Sequence, residues 1–198
     1  MASLNSTIVH ITGANQVLDF DVAKKLATDH SGYNVLMGYC DATKGDEAVA
    51  KLKIRELTVD GVMIDRAAEQ VSAQFGRLDV LINNTGVISE GRSPDNTLRQ
   101  TWQTGFDINT TVHVVTTQAF GPKGWKVNAS DPGHCATNFN GFRGSGSPES
   151  GALQTVRLAS LDKDRPTVGQ SAEGDDFEVC QEQILGEREF EVNVRLIY

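Results

Sequence analysis

The chain is short of cysteine, has no run of like charge and has no long apolar stretch, and each shortage argues against a class of protein. Its three cysteines, Cys40, Cys135 and Cys180, are odd in number and far apart. That pattern suits neither a disulfide framework nor a zinc site. Lys and Arg number 18 against 26 Asp and Glu, for a net charge of −8, and the basic residues never cluster. A nucleic-acid footprint and attraction to anionic membranes are therefore not expected. The opening "MASLNSTIVHITGA" has no basic segment followed by an apolar one, and nothing later is long enough to cross a bilayer. Internal repeats and low-complexity segments are also missing. The expectation is a cytoplasmic protein with reduced thiols.

What is present is ordinary globular material: 198 residues, 39% hydrophobic and 22% charged. This suits one domain, large enough to bury roughly 70% of its surface on folding. The β-branched run 7–12 predicts a strand, and the spacing of Val22 and Leu26 predicts a helix over 21–30. "YNVLMGY" is a second strand and 45–57 a second helix; "TVDGVMID" is a third strand ending in Asp65. "RAAEQVSAQFG" is an amphipathic helix with Gly76 as its cap. "LDVLINN" is apolar almost throughout, as a parallel strand covered on both faces must be. A long helix over 97–120, a strand at "KVNAS", a loop over 131–150 and a helix over 151–161 follow. Near the end, Phe190, Val192, Val194 and Leu196 alternate with Glu191, Asn193 and Arg195, the period of a half-buried strand. Strands alternating with helices define an α/β fold.

Four landmarks stand in one order: "TGAN" after the first strand, "GRLDVLINNTGV", "FDINT" on the long helix, and "DPGHCATNF". Together they resemble the short-chain dehydrogenase/reductase family, in particular its single-domain carbonyl reductases, over residues 7–165. The resemblance implies a Rossmann-type, doubly wound parallel sheet in one domain, 1–165. It leaves 166–198 as a divergent tail with a strand near 188–198. It also implies cofactor-binding roles for Gly13, Asn15, Asp65, Asn83 and Gly86. A glycine at position 13 allows the tight turn that brings backbone N–H groups to a diphosphate at a helix N-terminus.

The departures from the family pattern matter as much. Two further glycines of the turn correspond to Val17 and Asp19, whose side chain and charge oppose a diphosphate there. Cys40 stands where members preferring NADP carry arginine. The family's catalytic serine, tyrosine and lysine ride on a fifth strand and its helix. Here the long helix passes to "KVNAS" through 121–125 alone, and none of Tyr33, Tyr39 and Tyr198 has lysine four residues on. Divergence, or coding segments joined wrongly, each account for that gap; Val17, Asp19 and Cys40 lie inside intact segments and favour divergence. Asn109 is the remaining catalytic position of the family, with a backbone-bridging role as its structural alternative. His134, beside Cys135, is a candidate acid/base whose alternative is loop filler. The expected cofactor is none or weakly held NAD(P). The expected function is binding or non-redox conversion of a small-molecule metabolite, with NAD(P)-dependent carbonyl or alcohol chemistry as the alternative. The expected assembly is a homo-oligomer with Val112, Val115 and Phe120 near the contact, without nucleic-acid or membrane partners.

Overall fold

The computed structural model describes residues 6–14, 17–53, 59–63, 66–87, 95–120, 126–130, 132–161, 169–171, 178–179 and 192–196. Asn15, Asp65, Asp131, Cys180 and Tyr198 lie outside the described residues. In chain order the elements are β1 (Thr7–Ile11), α1 (Val17–Asp29), β2 (Tyr33–Tyr39), α2 (Ala42–Lys53), β3 (Val59–Met63), α3 (Ala67–Phe75) and β4 (Val80–Asn83). Then come α4 (Leu98–Phe106), a π-helical segment (Asp107–Thr111), α5 (Val112–Ala119), β5 (Lys126–Ser130) and α6 (Pro148–Ala159). The strands β6 (Gly169–Ser171), β7 (Glu178–Val179) and β8 (Val192–Leu196) complete the order.

The strands form one sheet in the order β3-β2-β1-β4-β8-β5-β6-β7, parallel throughout except for the β6–β7 pair. β8 lies between β4 and β5, with Val194 opposite Ile82 on one side and Asn128 on the other. Side chains alternate across the sheet. On one face Val9, Ile11, Val35, Met37, Val80 and Ile82 meet the apolar stripes of α1, α2 and α6. On the other face Ile8, Leu36 and Leu81 meet Ala67 and Val71 of α3, with Phe120 against the cluster. Both faces are covered, which is why these strands read as continuous apolar runs.

Several helix starts fall earlier than periodicity places them. α1 begins at Val17 rather than 21, α2 at Ala42 rather than 45, and α6 at Pro148 rather than 151. For α2 and α6 the reason lies in the caps. The Asp41 carboxylate accepts from the Lys44 backbone N–H at 3.2 Å, and Ser147 Oγ accepts from Ser150 N at 3.1 Å ahead of Pro148. An Asp or Ser cap, with Pro in the first turn, pulls a helix start ahead of its first buried residue. Gly76 closes α3 in the left-handed region, at φ 71°, as its sequence position suggests. The long helix starts with a capping box between Thr97 and Gln100 and runs through the π segment to Ala119. Within the stretch read as loop, Asn138–Asn140 is a short 3-10 turn.

Candidate functional site

The carboxyl ends of β1, β2 and β4 meet where the strand order reverses, which is where open parallel sheets leave a crevice for ligands. Thr12 ties that junction together. Its side chain is fully buried, and its Oγ accepts from Asn84 N at 2.9 Å and Thr85 N at 3.2 Å. The next residue, Gly13, turns at φ 69°, and a Cβ there would come within 3.1 Å of Thr85 Oγ and 3.2 Å of Thr85 Cα. Glycine is thus required twice over, by its dihedral and by the close approach of the two loops.

Around this junction is a cavity of about 680 Å³. Gly13, Leu18 and Asp19 line it from the β1–α1 side, and Asn84, Thr85 and Gly86 from the end of β4. Cys40, Asp41 and Lys44 line the side formed by the β2–α2 connection. Asp41 was not singled out from sequence. An acidic residue at the exit of the second strand, downstream of a glycine turn, is the signal that finds it. It also caps α2, and the Lys44 backbone N–H holds its carboxyl below the usual carboxylate range. Lys44 Nζ sits 3.5 Å from the same carboxylate.

The loop after β5 forms the remaining wall, with Pro132, His134, Cys135 and Phe139 among its lining residues. This loop is braced internally. Cys135 Sγ donates to Pro132 O at 3.0 Å, Asn140 Nδ2 donates to Cys135 O at 2.7 Å, and Phe142 N donates to Thr137 O at 2.7 Å. Cys135 is buried while His134 is exposed, so the two neighbours do not form a thiol–imidazole pair.

Of the residues expected at a site, Gly13, Gly86 and His134 come together around the cavity. Asn83 is turned away. It is buried, its Nδ2 donates to Thr117 Oγ at 3.0 Å, and Asn84 takes the wall position instead. Asn109, in the π segment, bridges backbone: Oδ1 accepts from Val87 N at 2.8 Å and Nδ2 donates to Val87 O at 2.9 Å. Val17 opens α1 and is not among the residues lining the cavity. Asp19 does reach the wall, and is buried. Burial raises its carboxyl well above the usual carboxylate range, against hydrogen bonds from the Asn84 side chain and its own N–H. Burial thus opposes the charge that the sequence assigns to this position. Among the described residues no group of three or more metal-ligating side chains is gathered, and no helix is long and apolar enough to cross a membrane.

A doubly wound α/β sheet with a glycine turn and a crevice at its strand reversal is the architecture of a nucleotide-binding Rossmann protein. The sequence model of the family described as short chain dehydrogenase matches residues 7–134. The chain belongs to that family. It is 35% identical over 131 residues to the short-chain dehydrogenase anuI of Penicillium roqueforti, covering 62% of this chain and 51% of that one. It is 36% identical over 87 residues to salutaridine reductase of Papaver bracteatum, covering 39% of this chain and 27% of that protein. The chain thus spans about half the length of the first of these relatives. The solved structure of salutaridine reductase from Papaver somniferum superposes with a TM-score of 0.69 at 17% identity, over 81% of this chain and 98% of that one. An actinorhodin polyketide ketoreductase with NADPH gives 0.56 at 19% identity, over 80% and 64%. At such identities these two establish the fold alone.

Proposed function

We propose that this chain uses the family scaffold to bind a small molecule at the carboxyl ends of β1, β2 and β4, and that it does not transfer hydride through a serine–tyrosine–lysine centre. The observation that carries this reading is the make-up of the cavity wall. Among the described residues the wall contains no tyrosine, and its lysine, Lys44, is engaged by Asp41. Tyr33 and Tyr39 both belong to β2, and the Tyr39 hydroxyl donates to Asp46 Oδ1 at 2.7 Å, away from the cavity. The insertion of β8 between β4 and β5 supports the same reading, because that is the place from which the resemblance expects the missing residues to project. His134, exposed in the wall, is a group available for proton transfer in an isomerisation or elimination.

The second reading, a weak NAD(P)-dependent oxidoreductase, is favoured by the opposite side of the cavity. The turn at Gly13 leaves the close approach that a diphosphate needs, and Gly86 with Thr85 offers a wall for the adenosine half. Asp41 would hold the ribose hydroxyls and repel a 2′-phosphate, which favours NAD over NADP. A nicotinamide cofactor bound there supplies a hydride acceptor or donor. Gly13 and the α1 N-terminus would hold its diphosphate, with Asp19 as the group that decides how well.

The test incubates the protein with NADH or NADPH and a panel of ketones, quinones and enones. Reduced-nicotinamide absorbance is followed together with the products, separated by chromatography and identified by mass. Mass-changing or isomeric products without nicotinamide oxidation support the first reading. Steady oxidation of NADH with alcohol formation overturns it in favour of the second.

A further inference from the structure

Asp19 lies in the first turn of α1, a helix of thirteen residues, and lines the cavity. The residue is 6% exposed, and Oδ1, without access to solvent, has no hydrogen-bond partner among the described residues. Thr85 Oγ, in the same wall, is a second buried oxygen without a partner among the described residues. An aspartate in the first turn of an exposed helix is normally stabilised in its charged form by the helix N–H groups. Here burial outweighs that effect and favours the proton-bearing form. The other ionisable groups on the wall offer little compensation. Lys44 is 3.5 Å from Asp41, Cys40 and His134 are exposed, and the Cys135 thiol is bonded to Pro132 O.

We propose that Asp19 is a proton gate for this cavity: a phosphate-bearing ligand enters at the α1 N-terminus with the Asp19 carboxyl neutral, and ionisation of that carboxyl closes the site to anions. The proposal rests on the reading of the cavity as a nucleotide site. Its physical basis is that two negative charges sharing a poorly solvated wall repel strongly, whereas a neutral carboxyl leaves the helix N-terminus free to attract. Linkage makes the effect reciprocal, so a bound diphosphate raises the proton affinity of Asp19 and binding takes up protons.

Calorimetric titration with NAD and with inorganic pyrophosphate, from pH 5.5 to 9, tests this on the whole chain. Repeating each titration in buffers of different ionisation heat counts the protons taken up. Above the pH at which Asp19 ionises, affinity should fall by about tenfold per pH unit, with uptake approaching one proton. Asp19→Asn, a neutral isostere, should bind with no such slope and no such uptake, and Asp19→Ser serves if the amide variant folds poorly. His30→Asn, outside the cavity wall, should keep the wild-type slope. Equal pH profiles in wild type and Asp19→Asn overturn the proton gate and leave the nucleotide site standing. Failure of NAD and pyrophosphate to bind any variant at any pH overturns both the gate and the site.

Discussion

Two buried ionisable side chains on β1 and α1 pull the stability of the fold in opposite directions with pH. His10 is fully buried; its Nδ1 donates to Leu36 O at 3.2 Å and its ring lies 5.3 Å from that of Phe120. Burial pulls its pKa from 6.5 to about 4, against that hydrogen bond. The unfolded chain therefore takes a proton below pH 6.5 that the folded chain refuses until about pH 4. Between those values stability falls as pH falls, by about 3 kcal/mol in all. Asp19 works the other way. The folded chain keeps a proton that the unfolded chain releases near pH 3.8, so stability falls as pH rises above that value. Urea unfolding from pH 4 to 8 should show the acid-side loss vanish in His10→Gln and the neutral-side loss vanish in Asp19→Asn. Unchanged slopes in both variants would remove this assignment. At Asn109 the expectation is simpler. Asn109→Ala deletes both bonds to Val87 and should cost about 1–3 kcal/mol in thermal unfolding, with Asn109→Asp falling between.

At the level of elements, the first half of the chain was legible because its pattern is redundant. β1, β2 and β4 combine β-branched content with burial on both faces, and α3 has its apolar stripe and its glycine stop. Helix starts were not legible from periodicity, since Asp41 and Ser147 set them through polar caps that carry no apolar signal. The site was half legible. Gly13 and Gly86 follow from the turn chemistry, whereas the buried Asp19 is bonded by the Asn84 side chain, distant in sequence, and no local pattern encodes that meeting. Asn83 and Asn84 illustrate the same limit, because adjacent residues leave β4 in opposite directions and only the strand register decides which one faces the cavity. The alternation near the end of the chain was readable as a strand, but not its place between β4 and β5. That place makes a sharp prediction. Proline at Val194 removes a backbone donor from a strand paired on both sides, while proline just before the strand, at Glu191, leaves the paired residues alone. Val194→Pro should cost about 3 kcal/mol or more in denaturant unfolding and Glu191→Pro much less. Equal effects would argue that β8 contributes little to the sheet.

Over the whole molecule, the long helix presents a face that the fold leaves open. Trp102 and Phe106 are 55% and 61% exposed with ring centroids 6.3 Å apart, and Val114 and Val115 are 52% and 57% exposed. Of the residues expected at an oligomer contact, Val115 lies on this exposed surface, whereas Phe120 packs against the sheet beside His10. We propose that a second copy covers the face. Sedimentation should show an oligomer that Trp102→Glu, or Val115→Glu, reduces to a monomer. A monomeric wild type at high concentration would count against it. The position of β8 has a different consequence, one of time. β4 and β5 are translated long before the segment that lies between them, so during synthesis the two halves of the sheet emerge with facing edges unpaired and have to wait. A chain built this way closes its sheet by a late, non-local insertion, which is slow and leaves sticky edges exposed meanwhile. Its yield in a cell should depend on chaperones that shield nascent edges more than on the final stability of the fold.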